Sequence, residues 1–176
     1  MKPRHAFWLL PLALLAPVAA RAQAPSEAAV KATFLVKFGA YVTWPAASGP
    51  ITICVVGRDV FGDALDKAAS GQQIDDRPIE LRRLDTVDGD SGCDIAYLAG
   101  SRDQPIPAAL EALRSAPVLT VTDSRWSNAR GMVHFQISAN RVRFHIDDRE
   151  AAQSSLGISS NLLKIALSVR PRNGAR

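Results

Sequence analysis

Ile51-Thr52-Ile53-Cys54-Val55-Val56 is the stretch that decides the fold. Six apolar or β-branched residues in a row show no alternation of faces. That pattern is expected of a strand buried on both sides, as in a parallel sheet covered by helices. Gly57 ends the run, and Asp59 is placed to cap a helix over residues 60–69. After a Gly-rich turn, residues 79–84 read as a short strand. Residues 94–99 (DIAYLA) read as a second buried strand ended by Gly100, residues 105–115 as a helix, and residues 118–122 as a further strand. Strands alternating with helices predict a sheet that is at least partly parallel.

Upstream, Val30, Phe34, Phe38 and Tyr41 recur at spacings of four, four and three. They predict a helix over residues 27–41 with these four on one face, and Pro45 keeps it from running through Trp44. Downstream the character changes. Residues 132–137 and 141–146 alternate apolar and polar and meet in a short turn at Ala139-Asn140, as in an antiparallel hairpin. Pairing Ile137 with Val142 turns both apolar sets to one face and puts His134 opposite His145. At the end of the chain Ser159 can act as N-cap, with Ile158 able to pack on Leu163. Leu162, Leu163, Ala166 and Leu167 then supply an apolar helical face. The expected fold is α/β: a single domain whose mixed, mostly parallel sheet is flanked by helices, with a C-terminal antiparallel hairpin and a terminal helix.

The first 22 residues address location. Lys2, Arg4 and His5 form a charged head, residues 6–19 are almost wholly apolar, and Ala20 and Ala22 make an A-x-A arrangement. This is the layout of a secretory signal peptide cleaved after Ala22. The apolar run is about 14 residues where a bilayer span needs roughly 20; an uncleaved anchor is the alternative. Removing residues 1–22 leaves 154 of 176 residues, one ordinary domain. It also removes three cations and no acid, so the formal charge falls from +4 to +1. The high pI therefore does not argue for nucleic acid. The expected division is a signal peptide over 1–22, the α/β domain over 23–170 and a disordered basic tail over 171–176. No other segment reaches transmembrane length. Cys54 and Cys93 are the two cysteines. An even number in an exported chain argues for a disulfide, with two separate buried thiols as the alternative.

Catalytic patterns are missing. Gly57-Arg58-Asp59-Val60-Phe61-Gly62 follows a strand and precedes a helix, yet it lacks the Gly-Lys-Ser/Thr of a phosphate loop and the G-x-G-x-x-G of a dinucleotide fold. His134 and His145 could share a metal, but zinc takes three or four protein ligands and only Asp147 or Asp148 is a nearby candidate. No G-x-S-x-G nucleophile turn exists, and Ser124 beside Asp123 is an ordinary loop pair. Asp75-Asp76, Asp88 with Asp90, and Asp147-Asp148 all lie in polar, turn-like stretches. The reading assigns no catalytic residue, no cofactor and no metal. Tyr41, Trp44 and Trp126 stand at element ends, where large rings serve as core plugs or as partner anchors.

Three blocks carry a resemblance. The first runs from Val30-Lys31-Ala32-Thr33-Phe34 to Tyr41-Val42-Thr43-Trp44-Pro45. The second is Ile53-Cys54-Val55-Val56-Gly57 with Phe61-Gly62, continued by Cys93-Asp94-Ile95 and Pro117-Val118-Leu119-Thr120-Val121-Thr122-Asp123. The third joins Gly131-Met132-Val133 and Val142-Arg143-Phe144-His145-Ile146 to Ile158-Ser159-Ser160-Asn161-Leu162-Leu163. Together they resemble the YfiR-like family of small periplasmic proteins. The resemblance implies a disulfide between Cys54 and Cys93. It also implies a periplasmic, non-enzymatic regulator that binds and represses the periplasmic part of a membrane-anchored diguanylate cyclase, coupling envelope state to cyclic di-GMP and biofilm. The expected partner is that cyclase or another membrane sensor, with a homodimer as a further expectation. Tyr41, Trp44, Trp126 and Leu156 are the expected partner-binding residues. The chain lacks the second cysteine pair of some members, and His145 and Asp147 stand where an acidic residue and an Asn are usual. The alternative, from another class, is a periplasmic small-molecule sensor or binding module.

Overall fold

A computed structural model describes residues 24–45 and 48–172. The signal-peptide expectation for 1–22 lies outside them, as do residues 173–176 of the expected tail.

Helix α1 (Glu27–Phe38) is capped by Ser26, whose hydroxyl accepts the Ala29 amide. It tightens into a 3-10 turn at Gly39–Tyr41 and enters a two-residue strand, β1 (Val42–Thr43). The chain continues through β2 (Ile51–Gly57), α2 (Asp63–Ala69), β3 (Gln73–Ile74), β4 (Arg77–Leu84), β5 (Ile95–Gly100), α3 (Ile106–Ala112) and β6 (Leu119–Asp123). A hairpin of β7 (Val133–Ser138) and β8 (Arg141–Asp147) follows, then α4 (Asp148–Gln153), β9 (Gly157–Ile158), α5 (Ser160–Ile165) and β10 (Ser168–Arg170).

Eight strands form one sheet in the order β10-β8-β7-β6-β5-β2-β4-β3, and β1 pairs separately with β9. The stretch from β4 through β2, β5 and β6 to β7 is parallel, β8 runs antiparallel to β7, and β10 runs parallel to β8. β2 comes first in the chain among the parallel strands, yet it lies between β4 and β5, the second and third. The chain thus winds outward in both directions from β2, and the carboxyl ends of β2 and β5 flank the switch point of a doubly wound sheet.

Successive residues of β2 and β5 feed opposite cores. Ile53, Val55, Ile95 and Tyr97 join Ala32 and Leu35 of α1 and Leu65 of α2, while Cys54, Val56, Ala96 and Leu98 join Ile106 and Ala109 of α3. The two-sided burial read from residues 51–56 is what the sheet requires, and the mixed α/β class is as expected. The hairpin keeps the expected register, with Ile137 opposite Val142 and His134 opposite His145. Ala139 and Asn140 make its turn at φ 48° and 58°, as a tight hairpin of this twist demands.

Some elements differ from the sequence reading. Of the stripe Val30-Phe34-Phe38-Tyr41, Phe38 is buried and Phe34 packs partly against the core, while the other buried residues of α1 are Lys31, Ala32, Leu35 and Val36. The helix packs on the sheet and on α2 at once, so its covered face is broader than one stripe and is rotated from it. Asp59 does not cap α2; its carboxylate accepts the Phe61 and Gly62 amides in the preceding turn and binds Arg83 of β4. Asp147 and Asp148 are not free turn carboxylates. Asp147 caps α4 through the Glu150 amide at 2.9 Å and binds Arg170, while Asp148 is held by two nitrogens of Arg172 at 2.7 Å.

Cys54 in β2 and Cys93, just before β5, form a disulfide with Cα atoms 5.9 Å apart. It anchors the connection from β4 to β5 against the α3-side core, where Val87 and Cys93 join Ile106 and Ala109. The closed loop spans 39 residues. Changing both cysteines to alanine is expected to lower the unfolding free energy by about 2–4 kcal/mol. Urea denaturation checks this as a fall in midpoint, and an unchanged midpoint would deny the bond its structural role.

Candidate functional site: the carboxyl edge of the sheet

α1 runs antiparallel to the parallel strands. Gly39 at its end packs on Ile74 and Ile95, near the start of β5, so its first turn reaches the end of β6. There Lys31, only 4 % exposed, ion-pairs with Asp123, which is 1 % exposed. Lys31 also binds Glu27 one turn back at 2.5 Å, and Arg125 holds the other oxygen of Glu27 at 2.7 Å. Tyr97 donates its hydroxyl to Asp123 at 3.1 Å and accepts the Trp126 indole N–H at 3.2 Å. The Arg58 guanidinium lies over the Trp126 ring, 4.8 Å from its centroid. A chain of side chains therefore runs from a buried carboxylate to an exposed arginine.

Burial, and then the Asp123 charge, push the Tyr97 phenol far above its ordinary pKa, so it stays a neutral donor. The network has no free nucleophile: its lysine is paired twice and its hydroxyl already donates. Its effect is to fix the Trp126 indole and the Arg58 head on the rim. A cavity of about 80 Å³ beside Lys31, Tyr97 and Trp126 is too small for an organic ligand.

The four expected partner residues do not share one surface. Tyr41 is exposed and Trp126 half-buried, at opposite ends of the sheet. Trp44, directly after β1, is only 8 % exposed and belongs to the core, with its indole N–H donating to the Asp94 carbonyl at 3.3 Å. Leu156, 2 % exposed, is a core residue between α4 and β9. Sequence reading missed the Lys31–Asp123 pair, since the partners lie 92 residues apart and nothing local marks either as buried.

His134 and His145 do face each other, with ring centroids 6.4 Å apart. Their nitrogens serve hydrogen bonds instead. His134 Nδ1 meets Thr122 at 2.8 Å; His145 meets Ser168 at 2.6 Å and Gln136 at 2.8 Å. Thr122 Oγ1 also accepts the Gly131 amide at 2.9 Å, which ties the histidine to the loop before β7. Among the described residues no group of three or more His, Cys, Asp or Glu is placed to hold a metal. Burial first, then the Arg130 charge, lowers the pKa of both rings below 6.5.

Two outcomes follow from this geometry. Lys31→Met leaves Asp123 without its cation and is expected to cost about 3–5 kcal/mol, whereas adding Asp123→Asn recovers much of the loss. Equilibrium denaturation of the single and double variants measures it. For the histidines, the unfolded chain takes up protons first as the pH falls. Their contribution to stability is therefore complete above about pH 7 and is lost on acidification below about pH 6.5. Thermal unfolding across that range should show the decline, and His134→Asn with His145→Asn should flatten it.

The family model described as YfiR/HmsC-like matches residues 28–167, from the second residue of α1 to just before β10. The chain belongs to the YfiR/HmsC-like family, periplasmic and non-catalytic regulators of diguanylate cyclases.

Proposed function

We propose that this protein binds the periplasmic part of a membrane-anchored diguanylate cyclase and represses it, so that the state of the envelope sets cyclic di-GMP inside the cell. The observation that carries this reading is the extent of the family match, which takes in α1 through α5 and both cores. The network around Asp123 supports it, because Lys31, Asp123, Tyr97 and Glu27 are spent on holding one another rather than arranged for catalysis.

Tyr41 and Trp126 are proposed as contact residues, each with aromatic surface at an element end, the kind of side chain that concentrates interface energy. Trp44 and Leu156 are proposed to act from beneath. The ladder of β1 and β9 holds only two residue pairs, Val42 with Ile158 and Thr43 with Gly157. Separating it would uncover both side chains, and a partner that favours one state over the other shifts the balance between them. Two copies of the chain acting as a homodimer would double such surfaces.

The test is capture from envelope extract by the tagged, exported protein. The expected result is recovery of a membrane protein carrying a cyclase domain, with recovery at least about tenfold lower for Tyr41→Ala at unchanged melting temperature. Recovering no such membrane protein, with or without reductant, would overturn the reading.

A further inference from the structure

A second crevice, open to solvent and about 610 Å³ in volume, lies on the same edge at the switch point between β2 and β5. Ligand sites of doubly wound sheets form at this place, outside the carboxyl ends of the strands where the winding reverses. Its floor is backbone. Gly57 and Gly100 have φ of +87° and +74°, and a Cβ on Gly57 would stand 2.2 Å from the Gly100 carbonyl oxygen. Two strand ends approach this closely because neither carries a side chain, and the Arg58 amide bonds the Gly100 carbonyl across the gap at 3.2 Å.

The walls are rich in donors. Arg58 and Arg102 line the crevice, and neither makes an ion pair among the described residues. Arg58 is held in place by Trp126, which is held in turn by Tyr97. The Ser101 and Ser127 hydroxyls each accept a backbone amide, from Gln104 at 3.0 Å and Ala129 at 2.9 Å. Each therefore keeps a hydroxyl proton to donate. Asp85 is the one acid on the lining. Two guanidinium groups and two hydroxyls facing one carboxylate make a site for negative charge.

We propose that this crevice binds a small organic anion, a carboxylate or a phosphate ester, with Arg58 and Arg102 as its charge-pairing groups and the Trp126 ring as the rigid support of Arg58. The site differs from a phosphate loop, since Arg58 and the glycine floor replace the missing Gly-Lys-Ser/Thr. The inference is independent of the cyclase reading: it concerns a ligand and needs no protein partner.

The experiment titrates the purified, exported protein with benzoate, inorganic phosphate and, as a cationic control, benzylammonium at fixed ionic strength. It follows the amide resonances of Gly57 and Gly100 and the Trp126 indole resonance. Saturable shifts at these three with benzoate or phosphate, and none with benzylammonium, are expected; which anion binds tighter separates a carboxylate ligand from a phosphate ester. Arg58→Ala and Arg102→Ala should each weaken binding about tenfold or more, and Asp85→Asn should tighten it, while Arg141→Ala, far from the crevice, changes nothing. A dispersed spectrum verifies that each variant is folded. Absent or non-saturable shifts would overturn the proposal, as would equal binding by benzylammonium or undiminished binding in both folded crevice variants.

Discussion

Asp123 is almost wholly enclosed, so each of its carboxylate oxygens needs a donor from inside the fold. Lys31 and Tyr97 serve Oδ2, and the Arg125 amide serves Oδ1 at 2.9 Å. Each donor comes from a different element, so one requirement joins α1, β5 and the loop after β6. The Asp123 carbonyl also accepts the Trp126 and Ser127 amides, which shapes the turn carrying Trp126 to the rim. A buried ion pair contributes little net stability compared with apolar packing, but it tolerates few arrangements. Here the arrangement it selects is the one in which α1 lies antiparallel to the strands and the indole points at Tyr97.

The parts of this fold that were legible in the sequence are those where burial repeats along the chain. β2 and β5 were readable because neither face is polar. The hairpin register was readable because Val133, Phe135 and Ile137 match Val142, Phe144 and Ile146 at alternate positions, and a slip by one would turn either set to solvent. The short elements were not readable. β1, β3 and β9 have two residues each and β10 three, too few for any period, and their pairing is set by distant chain. α4 has no apolar repeat, although Asp147 with Glu150 three residues on is a capping signal that could have revealed it. At the carboxyl edge, Trp126 stood out in the sequence for its size, whereas Lys31 on a helix reads as solvent-facing until the partner strand is known.

The near-neutral charge of residues 23–176 conceals a strong asymmetry. Residues 23–129 carry ten Lys or Arg and fourteen acids, whereas residues 130–176 carry eight Lys or Arg and three acids. The sheet order translates this into space, since β4 and β3 form one side of the sheet and β7, β8 and β10 the other. The second side is basic, with Arg141, Arg143, Arg149 and Arg170 against Asp147, Asp148 and Glu150. The acids of the first half lie mostly in α2 and the loops rather than on β4, which carries Arg77, Arg82 and Arg83 against Glu80. A charged partner is then oriented before contact, which affects encounter rate and alignment more than final affinity.

A regulator has to present its partner with two states that bind differently, and this architecture limits where they can differ. β2 and β5 are covered on both faces, and the disulfide ties β2 to the segment entering β5. Close-packed layers of this kind do not deform by small degrees. Change is therefore easiest where cohesion is least: the two-pair ladder of β1 and β9, the short α5 and β10 that follow it, and the Arg58–Trp126 stack at the opposite end. The central sheet then serves as a fixed frame that holds these rims apart. Under the proposed function, a signal reaching either rim would act through local rearrangement, without unfolding the core that positions it.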